Sequence, residues 1–195
     1  MKKLNTKMIA VCGILTAMTI VLAEFLGINL AMIQISFNFI PIVFAAMYLG
    51  PIPCCIIAAL ADFVGALLFQ GSVNPFITII SALMGLSYGV FLYSGSPVNR
   101  AMKAALAGVL KNAKNPEQVS VIIIGAIAVL FDIVVFSLVL TPITLHLYYD
   151  LNYAIIYAPR ALKAIIMLPL ETVVISLLDS QLIPRLKKTS LLRGA

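Results

Sequence analysis

Two stretches of 37 residues carry no formal charge, one between Glu24 and Asp62 and the next between Asp62 and Arg100. A helix that crosses a bilayer takes about 20 apolar residues, so each stretch has room for nearly two crossings. Across the 195 residues, 63% are hydrophobic and 10% charged, whereas a soluble domain is roughly a quarter charged. That leaves too little charge to cover a water-exposed surface, and the chain reads as an integral membrane protein. Its apolar runs are unbroken, unlike the alternating segments of about ten residues in an outer-membrane barrel. Hydrophobicity continues past the first apolar stretch, so this segment is expected to be retained rather than removed as a signal peptide. Cys12, Cys54 and Cys55 are odd in number and two are adjacent, which implies neither a disulfide framework nor a metal site.

The expected architecture is an all-α membrane protein, a single transmembrane domain over residues 1–195. Six helices are predicted at about 8–28, 36–49, 54–69, 75–93, 119–141 and 159–178. Gly50-Pro51-Ile52-Pro53 and the run from Gln70 to Pro75 supply turns. Residues 94–118 form the one polar stretch, expected to be a cytoplasmic loop. The basic residues fix the orientation. Lys2, Lys3 and Lys7 precede the first segment; Arg100, Lys103, Lys111 and Lys114 lie between the fourth and fifth; Arg185, Lys187, Lys188 and Arg193 follow the sixth. With six crossings these eleven of thirteen share one side, which the positive-inside rule makes cytoplasmic, with both termini inside. The net charge of +6 is then explained without nucleic acid.

Arg160 and Lys163 are the two exceptions. Three residues apart, they share one helix face, and they are placed in the first turn or two of the sixth helix, at its outer end. Their charge would add to the free N–H groups of that terminus and favour an anion; snorkelling to lipid headgroups is the competing reading. Asp62, Asp132 and Glu171 lie near the middle of the third, fifth and sixth segments, and Glu24 near the outer end of the first. Carboxylates at such depth face a bundle interior or a watery cavity, as ligand contacts, as a proton relay or as structural hydrogen-bond partners between helices. Asn38 and Asn74, in or beside outer loops, are candidate ligand hydrogen-bond donors. His146 stands alone among Tyr148, Tyr149, Tyr153 and Tyr157, a pattern that fits an interfacial aromatic belt. Gly13 and Ala17 make a small-xxx-small pair that allows close helix approach. The sequence has no GxxxxGK[ST], so it has no P-loop for ATP. HExxH and a nucleophile–base pair are missing, so a membrane enzyme is not expected.

Several segments, in order, resemble a known family. These are Glu24-Phe25-Leu26-Gly27-Ile28, Ile35-Ser36-Phe37-Asn38-Phe39-Ile40-Pro41-Ile42, Leu49-Gly50-Pro51, Ala61-Asp62-Phe63-Val64-Gly65, Leu86-Ser87-Tyr88-Gly89-Val90-Phe91, Pro159-Arg160-Ala161-Leu162-Lys163 and Ile166-Met167-Leu168-Pro169-Leu170-Glu171. They look like the folate-family S components of energy-coupling factor (ECF) transporters, and the likeness covers most of the chain outside 94–118. It implies a non-enzymatic six-helix vitamin-binding subunit of the bacterial plasma membrane. The vitamin, folate or a related pterin, would sit near the outer face under the loop between helices one and two. The candidate ligand contacts are then Arg160, Lys163, Glu24, Phe37, Asn38, Asp62, Asn74 and Tyr88. The resemblance also implies docking through Gly13 and Ala17 onto a transmembrane coupling protein with two cytoplasmic ATPases, which use the ATP; this chain itself would hold no cofactor. Many members carry Arg at the place of Glu24, and some at that of Met84. Within the class, pantothenate or hydroxymethylpyrimidine are the alternative ligands; outside it, a membrane enzyme or a structural membrane partner.

Overall fold

The computed structural model describes residues 6–30, 33–111, 115–150 and 152–182. Lys2, Lys3, Lys114, Arg185, Lys187, Lys188 and Arg193, on which much of the charge sorting rests, lie outside the described residues. The chain opens with α1, Thr6–Glu24, followed by a short antiparallel hairpin, β1 (Ile28–Leu30) and β2 (Ile33–Ile35). Then come α2 (Phe39–Tyr48), α3 (Pro51–Gly65), α4 (Pro75–Leu92) and α5 (Pro97–Val109). A long rod follows, made of α6 (Pro116–Asp132), a π-helical stretch (Ile133–Leu140) and α7 (Thr141–Tyr149). The last helix is α8, Tyr153–Leu177.

Among the described residues, five helical stretches are long and apolar enough to cross a membrane: Thr6–Glu24, Pro51–Phe69, Pro75–Leu92, Pro116–Tyr149 and Ile156–Gln181. The shorter apolar helix, α2, has 10 residues. At 1.5 Å per residue it extends only about 15 Å, half a hydrocarbon core. It makes up for this by burial. Phe39, Ile42, Val43, Ala45, Ala46 and Met47 are all buried, and α2 packs on α1, α3 and α4. Polarity is inverted relative to a soluble protein: Ile9, Leu68 and Ile165 are more than half exposed, as lipid-facing side chains should be.

α3 and α4 approach most closely. A Cβ added at Gly85 would stand 2.7 Å from the Cys54 carbonyl oxygen, and one at Gly89 would run into Pro51 Cα. The turn into α3 uses Gly50 at φ 97°, left-handed backbone that suits glycine, followed by Pro51 at the first helical position.

Four sequence expectations change. The hairpin interrupts the all-α pattern: the first helix stops at Glu24 rather than near 28, and α2 starts at Phe39 rather than 36. By pairing its own N–H and C=O groups, the hairpin meets the demand that a membrane edge places on irregular backbone. Residues 94–118 are not a loop, since they contain α5. On α5 Asn99 is buried and Met102 and Leu106 pack on the core, while Arg100 and Lys103 stay exposed; amphipathic spacing carries the charges on the outer face. The fifth segment continues to Tyr149, because the run through Thr141–Tyr149 stays helical. The sixth begins at Tyr153, six residues early, with Pro159 and Pro169 inside it.

Candidate ligand-binding site

α2, α4, the α6 rod and α8 enclose a cavity of about 200 Å³. Its polar walls are Asn38, Ser81, Tyr88, Asp132, Ser137, Thr141, Arg160, Lys163 and Glu171, and its apolar walls include Ile42, Met84, Phe136 and Met167. A smaller cavity of about 90 Å³ lies between α1, α3 and α4 and is lined by Thr19, Glu24 and Asp62 among others. Asn38, Ile42, Ser81 and Met84 line both cavities and so form a shared wall.

Each polar group can be followed to its partner. The Tyr88 hydroxyl donates to Glu171 Oε2 at 2.5 Å, a buried bond between α4 and α8. Asp62 accepts from the hydroxyls of Thr78 (2.7 Å) and Ser81 (3.1 Å) on α4. Lys163 interacts electrostatically with both Glu171 and Asp132. Arg160 is less well served. Its Nη1 donates to the Ser137 carbonyl at 3.4 Å, a long bond, and its Nε is buried with no partner among the described residues. Asp132 Oδ1 is likewise buried, with no partner among the described residues.

Local sequence explains the carbonyl offered to Arg160. Immediately after Asp132 the backbone widens to the π-helical stretch, which presents Ile133, Phe136 and Ser137 to the cavity. Such widened turns leave carbonyls less tightly committed and are frequent at functional sites. Here the Thr141 hydroxyl donates to Phe136 O at 2.7 Å.

Of the eight candidate contacts, Arg160, Lys163, Asn38 and Tyr88 meet at the larger cavity, and Glu24, Asp62 and again Asn38 at the smaller. Phe37 and Asn74 line neither. Phe37 is 46% exposed, at a ring-centroid distance of 6.4 Å from Phe39. Asn74 caps α4, its Oδ1 accepting from Phe76 N at 3.0 Å ahead of Pro75. The placement of Arg160 and Lys163 also needs correction. With α8 starting at Tyr153, Arg160 sits seven residues inside the helix, so the free N–H groups of the terminus are too far away to help hold an anion. Both cations line the larger cavity instead. Asp132 and Glu171 belong to the same cavity, although the candidate contacts omit them; their depth in apolar segments was the signal. His146 stacks on Tyr153 at 4.3 Å, at the far end of α7.

Gly13 and Ala17 are exposed on α1, and a Cβ at Gly13 would meet nothing within 4 Å. The pair therefore packs against no other part of the described chain.

Comparison with known proteins extends over nearly all of these elements. The chain is 29% identical over 176 residues to a protein described as the folate transporter FolT of Clostridium novyi (strain NT), covering 90% of this chain and 88% of that one. It superimposes with a TM-score of 0.70 on a crystal structure of FolT bound with folic acid, at 30% identity, covering 89% of this chain and 93% of the other. The family model described as "ECF transporter, substrate-specific component" matches residues 7–178. With its several apolar helices, this multi-pass membrane protein belongs to the family of substrate-specific components of ECF transporters.

Proposed function

We propose that this chain captures folate or a closely related pterin at the outer face of the bacterial plasma membrane and surrenders it to an ATP-driven coupling module. In this reading the peptide crosses six times, with α2 as a short buried crossing and both termini cytoplasmic. Gly13 and Ala17 form the face that docks on the transmembrane coupling protein. ATP is spent by two partner ATPases, and this chain binds no cofactor and performs no bond-breaking step.

Arg160 carries the reading. It is a cation well inside an apolar helix, on a cavity wall, with a buried N–H that nothing in the described chain accepts. Such a group is costly unless a ligand completes it. Lys163 already faces two carboxylates, so Arg160 is the cation left over for a folate carboxylate. The likeness to FolT with folic acid supports the same ligand class. Folate is elongated, and the two cavities lie side by side across the shared wall of Asn38, Ile42, Ser81 and Met84, of which Met84 is the most flexible side chain.

The decisive experiment is to identify the small molecule that copurifies with the detergent-solubilised protein and then titrate folic acid. Arg160→Ala should weaken folic acid binding roughly 30-fold to several-thousand-fold, the range for truncating one partner of a desolvated charge pair. Arg160→Lys should recover only part, because lysine lacks the planar two-pronged fork. Folic acid bound equally well by folded Arg160→Ala would mean that Arg160 does not hold the ligand, and no folic acid binding by wild type would favour a neutral ligand such as hydroxymethylpyrimidine. For topology, a tag at Val73 should be reached from outside and one at Lys111 only from inside; external labelling at Lys111 would overturn the six-crossing arrangement.

A further inference from the structure

Three carboxylates lie deep in the membrane-spanning helices, and their surroundings differ. Asp62 accepts hydroxyl donors on both oxygens, from Thr78 and Ser81. Glu171 accepts the Tyr88 hydroxyl at 2.5 Å. Asp132 lines the same cavity as Arg160, yet its Oδ1 is buried with no hydrogen-bond partner among the described residues. Lys163 supplies Asp132 with electrostatic attraction, but that does not fill the empty acceptor position. A buried acceptor left without a donor is expensive, and native structures rarely keep one without use.

The same cavity holds the complementary defect, the unpartnered Nε of Arg160. One orphan is an acceptor on the α6 rod and the other a donor on α8, with Phe136, Met84 and Met167 supplying apolar wall. The two orphans do not satisfy one another. A molecule that ends them both must present a hydrogen-bond donor to one and an anionic or carbonyl oxygen to the other, and bring apolar surface to Phe136, Met84 and Met167.

We propose that Asp132 is a specificity-determining residue that accepts the N–H edge of an amino-substituted nitrogen heterocycle, while Arg160 holds the ligand's oxygen. The proposal rests on the folate reading and deepens it: the heterocycle is the pterin ring, whose 2-amino group and ring N–H lie side by side. A carboxylate can take two parallel N–H bonds at once, which asparagine cannot. Selectivity follows from this. A ring that lacks the amino donor leaves the Asp132 acceptor empty in the bound state, and a site built for a hydrogen bond rejects such an analogue strongly.

The test uses the full detergent-solubilised chain with two probes, folic acid and its 2-desamino-2-methyl analogue, on wild type and Asp132→Asn. Folic acid should bind Asp132→Asn about tenfold or more weakly than wild type. The analogue should lose a similar factor on wild type and then bind both proteins alike, since neither can make the missing bond. Should Asp132→Asn bind folic acid like wild type, or should the analogue and folic acid lose equal factors on mutation, Asp132 does not read the amino edge. If the variant fails to fold, the wild-type arm still decides: equal affinity for the two probes overturns the proposal, and a selective loss supports it. Failure of wild type to bind folic acid at all would instead bring down the folate reading itself, and this assignment with it.

Discussion

Two pairs of small residues, each four positions apart, have opposite fates. Gly85 and Gly89 on α4 sit where α3 presses hardest. A Cβ at Gly85 would lie 2.7 Å from Cys54 O and 2.8 Å from Ala58 Cβ, and one at Gly89 would collide with Pro51 Cα and stand 2.7 Å from its nitrogen. Gly13 and Ala17 on α1 face outward, with nothing within 4 Å of a Cβ at Gly13. In a membrane, where apolar side chains gain little by leaving lipid, close backbone approach is a main source of helix association. The first pair has its partner within the chain. The second retains the shape of an interface with no partner among the described residues, as a subunit of a larger transporter would.

The largest effect should come from filling the inner pair. Gly89→Ala forces backbone against backbone between α3 and α4, where no flexible side chain can give way. The cost should reach or exceed the upper end of the roughly 1–3 kcal/mol typical of overpacking. It should appear as a lowered thermal midpoint in detergent and weakened folic acid binding, because Tyr88 and Met84 ride on α4. Wild-type stability in Gly89→Ala would remove the tight helix pair from the description.

Filling the outer pair should have a narrower effect. Gly13→Leu or Ala17→Leu should abolish uptake in cells while leaving stability and folic acid binding by the isolated subunit intact. A loss of binding as severe as the loss of uptake would mean that this face packs within the subunit. The smallest effect is reserved for Gly13→Ala, a single methyl in open space. Stability and binding should not change, and uptake should fall less than in the leucine variant; equal uptake loss in both would point to an interface as tight as the one at Gly89.

Much of this was legible in the residues. The uncharged 37-residue stretches announced membrane crossings, and Arg160 and Lys163 stood out as cations inside an apolar segment. Four of the eight candidate contacts meet at one cavity. Asn74 before Pro75 reads equally as a ligand donor or a helix cap: its Oδ1 accepts from the Phe76 N–H, while its Nδ2 is buried with no partner among the described residues. The Gly85/Gly89 pair has the same spacing as Gly13/Ala17, but sequence offers no means of telling an inner face from an outer one.

What the sequence determined alone are properties that add along the chain: apolar content, the length of uncharged runs, the absence of a P-loop, and the ordered segments that mark the family. What only the tertiary structure decided are pairings between distant residues. Tyr88 and Glu171 are 83 positions apart and share a 2.5 Å bond, whereas Asp132, also a carboxylate deep in an apolar segment, has an oxygen with no partner among the described residues. Hydrophobicity is a sum and survives any rearrangement of the helices. A hydrogen bond depends on distances of a few tenths of an ångström, and those exist only once α4, the α6 rod and α8 have packed.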